Sequence, residues 1–160
     1  MLISSSIRRN TPSCLDSKIH HNNLCNNILA KIEAIQAGAG EGLMLNEQGF
    51  VAECTGDNIF VLKRGILITP PISAGGLRGI TREVVFQIAA EFGISVQEPE
   101  MTRYDIYTAD ECFLTGTAAE IIPVISLDKR QIGSGKPGPV TARFIARFRE
   151  LTLSSGTPIY

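Results

Sequence analysis

Charge of one sign is not in excess in this sequence, no apolar run is long, and no two cysteines stand close together. The 160 residues carry a formal charge of −1, so the basic excess that binding to nucleic acid or an anionic membrane requires is missing, overall and in any local patch. The apolar runs fall short of the roughly 18 to 20 residues needed to cross a bilayer. The N-terminus "MLISSSIRRN" lacks the apolar stretch of a secretory signal, which leads to the expectation of a cytoplasmic protein. Cys14, Cys25, Cys54 and Cys112 form no C-x-x-C pair and read as reduced thiols rather than zinc ligands or a disulfide framework. His20 and His21 are adjacent, and adjacent helical residues point about 100° apart, so no metal site is expected. Internal repeats and low-complexity segments are also lacking.

With hydrophobic residues at 44% and charged residues at 19%, the chain is long enough for one globular domain with a real core. From Asn23 to about Ala37, Leu24, Ile28, Leu29, Ile32 and Ile35 recur at helical spacing, which predicts an amphipathic helix stopped by Gly38 and Gly40. "GLMLNEQGFVAEC" and "NIFVLKRGILITPP" each read as a β-hairpin closed by a glycine-containing turn. A helix is expected from about Thr81 to Phe92, with Val84, Val85, Ile88, Ala89 and Phe92 on its apolar face and Glu83 near its positive end. A strand at "GISVQE", a turn-rich piece around "TRYDIYTADE", the strand "CFLTG" and a hairpin at "VISLDKRQIG" follow. The last helix takes Pro139 in its first turn and buries Val140, Phe144, Ile145, Phe148 and Leu151. Hairpins with interspersed helices argue for an α+β or mixed α/β domain on a largely antiparallel sheet, over residues 1–151, with a tail at 152–160.

Three stretches carry chemistry. "SAGGLRGITRE" places glycines at 75, 76 and 79 just before a helix that opens on Ile80 and Thr81, leaving amides free for an anion, with a hydroxyl beside them. It reads equally as a plain loop and cap. "FLTGTAAEIIPV" ends a strand in Thr115-Gly116-Thr117-Ala118, a mouth of hydroxyls and amides suited to phosphate or carboxylate oxygens, or an ordinary turn. Glu53 lies inside an otherwise apolar strand pattern, where burial is costly without a cationic or proton-donating partner. A core-facing Glu53 is functional; a solvent-facing one is the polar half of an alternating strand.

These stretches, in this order and together with "SSIRRN", "NNILAKIEA", "GDNIF" and "TGTAAEIIPV", resemble the class IV (fold type IV) pyridoxal-phosphate aminotransferases from about Ser4 to Leu151. That group holds branched-chain and D-amino-acid transaminases and aminodeoxychorismate lyase. The resemblance is to the large C-terminal domain alone. It implies pyridoxal 5'-phosphate as cofactor and amino transfer between an amino acid, most like the branched-chain group, and a 2-oxo acid. It also implies a homodimer. By the same resemblance Glu53 bonds the pyridine nitrogen and Leu77 packs on the ring. Gly79, Ile80, Thr81 and Thr117 hold the phosphate, and Ala118 offers its amide to the substrate carboxylate.

The sequence departs from the family twice. In "DSKIHHNNLCNNIL" the Schiff-base lysine position falls on His20, which has no primary amine. Lys18, two residues earlier, keeps a Lys-x-x-x-Asn spacing to Asn22. Lys18 as the imine-forming amine, His20 as a non-covalent proton shuttle, and simple helix capping by this polar run all remain open. The second departure is length: the smaller N-terminal domain of the family, which contributes an arginine to the phosphate site, has no counterpart, and Arg8 and Arg9 are not expected to replace it. The expectation is a transaminase domain, weak or inactive as an isolated piece. The alternatives are a non-catalytic binding or assembly module and a lyase of the aminodeoxychorismate type.

Overall fold

The computed structural model describes residues 1–156. Two five-stranded sheets lie face to face. The first has the order β10-β9-β1-β2-β3 and the second β6-β5-β4-β7-β8. In chain order the first sheet is built from β1 (Leu2–Ser4), β2 (Glu41–Leu45), β3 (Val51–Cys54), β9 (Ser126–Leu127) and β10 (Arg130–Gln131). The second takes β4 (Asn58–Lys63), β5 (Ile66–Ile68), β6 (Val96–Gln97), β7 (Glu111–Gly116) and β8 (Glu120–Val124). Both predicted hairpins form, as β2–β3 and β4–β5, and the third as β9–β10. Most pairings are antiparallel; β1 with β2, β1 with β9, and β5 with β6 are parallel.

The strands β2, β3 and β4 are buried along almost their whole length, because both faces of each sheet are covered. Between the sheets, Leu43, Leu45 and Val51 meet Ile59, Val61, Leu114 and Val124. On the far side of the second sheet, Phe60 and Phe113 stack at 5.2 Å, and helices α2 (Ile80–Glu91) and α4 (Pro139–Ser154) close over them with Val85, Ile88, Phe144 and Phe148. Period-two alternation explains the division: Ile59 and Leu114 point to one core, Phe60 and Phe113 to the other. Asn58 and Thr115, directly paired in the β4–β7 ladder, therefore lie on the helix-covered face, one pleat step beyond the Phe60–Phe113 pair.

Helix α1 (Cys25–Gln36) covers the outside of the first sheet, and here the sequence reading of its face is corrected. Ala30 and Ala34 are buried, whereas Leu24, Ile28, Leu29, Ile32 and Ile35 are 42% to 63% exposed. The reason is steric. A Cβ at Gly42 of β2 would stand 3.1 Å from the carbonyl oxygen of Ala30 and 3.6 Å from the Cβ of Ala34, so the helix approaches through its small residues and turns the large ones outward. The turn-rich segment before β7 also holds a short helix, α3 (Arg103–Tyr107), started by a capping box between Thr102 and Asp105. Helix α4 continues past Leu151, so the expected tail begins inside it; residues 157–160 lie outside the described residues.

Gly42→Val is expected to lower unfolding stability by about 1–3 kcal/mol, because the added atoms push α1 off β2. Gly56→Ala, which meets nothing within 4 Å, serves as the control and leaves the midpoint almost unmoved. Urea denaturation of both variants checks this.

Candidate functional site

Glu53 is the polar residue whose burial the sequence left undecided, and it is 6% exposed. Its Oε1 pairs with Nη2 of Arg9 at 2.7 Å, both side chains being buried. Its Oε2 accepts from Nδ2 of Asn58 and from the backbone amide of Leu77, each at 2.9 Å. Arg9 is anchored in turn by donating from Nε to the carbonyl of Gly75, and Asn58 also donates to the carbonyl of Leu77. A carboxylate has about four acceptor sites, and three are used here. One remains for a further donor.

That carboxylate opens on a cavity of about 610 Å³ between the irregular segment before α1, the start of α2 and the mouth of β7. Its walls include Glu53, Leu77, Gly79, Ile80, Thr81, Thr117 and Ala118, together with Lys18 and His20. Every residue expected at the site thus borders one space. Helix α2 enters it without a side-chain cap, so its first amides are unspent. Gly79 is required at that entrance, because a Cβ there would stand 2.3 Å from Oδ1 of Asn58. Opposite, a Cβ at Gly116 would stand 2.2 Å from Oδ1 of Asp57.

Burial pushes the Glu53 carboxyl up to about 7, against the downward pull of Arg9 and of the Leu77 amide. Burial likewise raises Asp57, with Glu41 adding to the effect and Lys31 opposing it. The site holds two acids whose ionised forms are disfavoured by lost hydration, beside a free row of helix amides.

The two candidate reacting groups are placed less decisively. Lys18 borders the cavity, but its side chain is 57% exposed and its Nζ lies 3.4 Å from Oδ2 of Asp16. His20 borders the cavity from an exposed position, and His21 stands beside it with Nδ1 buried and unpartnered. No other lysine lines this cavity. Among the described residues no group of His, Cys, Asp and Glu is arranged to hold a metal ion, and no helix is long and apolar enough to cross a membrane.

Sequence reasoning missed Arg9 and Asn58, and it named Thr115 only as one hydroxyl of the strand mouth. Arg9 lies 44 residues before the acid it pairs with, and no spacing rule connects them. The place of Asn58 beside Thr115 could have been found only by setting the β4–β7 register.

Residues 1–127 match the family described as amino-transferase class IV, and the chain belongs to it. It is 44% identical, over 99% of its own length and 55% of the other's, to a putative branched-chain-amino-acid aminotransferase of Methanocaldococcus jannaschii. Against a branched-chain-amino-acid aminotransferase of Pseudomonas aeruginosa the identity is 46%, over 79% of this chain and 41% of that protein. Among solved structures, a branched-chain aminotransferase of Thermoproteus uzoniensis with norvaline superposes with a TM-score of 0.94 at 39% identity, over 99% of this chain and 55% of that one. The branched-chain amino acid aminotransferase of Thermobaculum terrenum in its PLP (holo) form gives 0.93 at 39%, over 96% and 50%. The chain thus spans about half the length of the relatives it matches.

The raised Glu53 has a stability consequence with a definite sign. The folded chain holds this proton more tightly than the unfolded chain, so the contribution of Glu53 to stability is fully present below about 4.5 and is lost as pH rises through about 7. Thermal denaturation across that window is expected to show this decline in the wild type. Glu53→Gln, which resembles the protonated acid, is expected to flatten it.

Proposed function

We propose that this chain is a pyridoxal-phosphate transaminase domain, moving an amino group between an amino acid, branched-chain above all, and a 2-oxo acid. The observation that carries this reading is the convergence of Glu53, the uncapped start of α2 and the mouth of β7 on one cavity. The residues fit the coenzyme: Glu53 has one acceptor site to spare, and α2 offers amides with no other partner.

When bound, pyridoxal phosphate supplies an electron sink for the bonds at the substrate Cα. The chain's own part is to hold and orient. Glu53 accepts the ring N–H and sets the ring's direction. Arg9, Asn58 and the Leu77 amide keep that carboxylate from swinging away. The Leu77 side chain would pack on the ring. The α2 amides at Ile80 and Thr81, with Thr117, bind the phosphate, and Gly79 keeps their approach clear. The Ala118 amide receives the substrate carboxylate. Lys18 would supply the amine that holds the coenzyme, and His20 would stand as the proton shuttle beside it.

A second reading, a non-catalytic binding module, is favoured by one observation: the Lys18 amine is drawn toward Asp16 and solvent. Borohydride reduction after coenzyme loading separates the two. The transaminase reading expects a stable adduct, located by mass spectrometry on Lys18 and lost in Lys18→Ala. Reversible binding with no adduct establishes the module instead. A preparation that ignores added coenzyme sinks the transaminase reading.

The apolar outer face of α1 supports association, most simply as a homodimer, since five large residues in one stripe are costly to leave in water. Ile32→Glu with Ile35→Glu is expected to shift the mass measured by light scattering from dimer to monomer.

A further inference from the structure

Two buried polar side-chain atoms lack a hydrogen-bond partner among the described residues, Nδ1 of His21 and Oγ1 of Thr115, and both residues border the same cavity. Thr115 is the sharper case, being 1% exposed in a central strand. A buried hydroxyl without a partner is disfavoured, and its retention calls for a reason. Its cross-strand neighbour offers it no donor: the Asn58 amide nitrogen is already committed to Glu53 and to the Leu77 carbonyl. Valine would fill nearly the same volume in an interior strand with no unmet hydrogen bond, so packing alone does not account for a hydroxyl here.

The fold gives the direction. Thr115 shares its face of β7 with Phe113, the face that α2 and α4 cover. Along that face the apolar layer ends at Phe113, and the cavity begins at Thr115, under the uncapped start of α2. Thr115 and a row of unspent amides thus border the same space. A hydroxyl donates to an anionic oxygen, as the amides do.

We propose that Thr115 is a further ligand-binding residue, its hydroxyl donating to a phosphate oxygen of the molecule seated between β7 and α2. The inference rests on the coenzyme reading above and adds a donor to it from the strand interior.

The test compares the full chain with T115V, T115A and T115S, using pyridoxamine 5'-phosphate and its unphosphorylated counterpart pyridoxamine. Neither probe forms an imine with a lysine, so the result does not depend on Lys18. T115V is expected to match or exceed the wild type in urea stability, because an unsatisfied hydroxyl is removed. Its affinity for pyridoxamine 5'-phosphate is expected to fall about tenfold, the weight of one hydrogen bond to a charged acceptor. Pyridoxamine affinity is expected to stay unchanged and T115S to restore the loss, while T115A behaves as T115V does and guards against a packing defect peculiar to valine. Unchanged pyridoxamine 5'-phosphate affinity in T115V overturns the proposal. So does an equal loss for both probes, which makes Thr115 a wall of the cavity. A wild type that binds neither probe overturns the coenzyme reading as well.

Discussion

The Glu53 carboxylate is the constraint around which the site is assembled. A buried carboxylate is tolerated only where donors replace its water, and each donor here comes from a separate part of the chain: Arg9 from the segment before α1, Asn58 from β4, the Leu77 amide from the turn before α2. Satisfying one acid therefore fixes three segments relative to one another. Arg9 adds a fourth tie by bonding Gly75, and Asn58 closes the set by bonding Leu77 as well. The same bonds that make Glu53 bearable inside the protein aim its last free acceptor site at the cavity.

The two-sheet framework explains why this costs so little elsewhere. The apolar work is done in two separate layers, one between the sheets and one under α2 and α4, and neither needs the polar cluster to be complete. The cavity occupies the end of the second layer, where Phe60 and Phe113 give way to Asn58 and Thr115. Glycine at 79 and 116 lets neighbouring side-chain oxygens come closer than any Cβ allows. The outer face of α1 shows the converse: alanines and Gly42 bring the helix tightly onto the sheet, and the large apolar residues are left outside.

Much of this was legible from local pattern. The hairpins, α2 and α4 follow from turn glycines and helical periodicity, and the glycine-rich approach to Ile80-Thr81 marks an anion site because free amides at a helix start are a local property. The resemblance to a family named the expected site residues, from Lys18 and Glu53 to Ala118, and one cavity gathers them. The apolar face of α1 was misread for a physical reason. Periodicity reports which residues share a face, while the choice between burying a large-residue face and a small-residue face depends on what the helix packs against.

By itself the sequence determined the order of helices and hairpins, the glycines that free the amides before Ile80, and the presence of an acid in an apolar strand. Only the tertiary structure decided that Arg9 neutralises that acid, that Asn58 and Thr115 stand side by side, and that Lys18 leans toward Asp16. Periodicity and turn chemistry act over a few residues and can be read along the chain. A salt bridge across 44 positions, a strand register and the orphaned hydroxyl of Thr115 exist only once distant segments have been brought into contact.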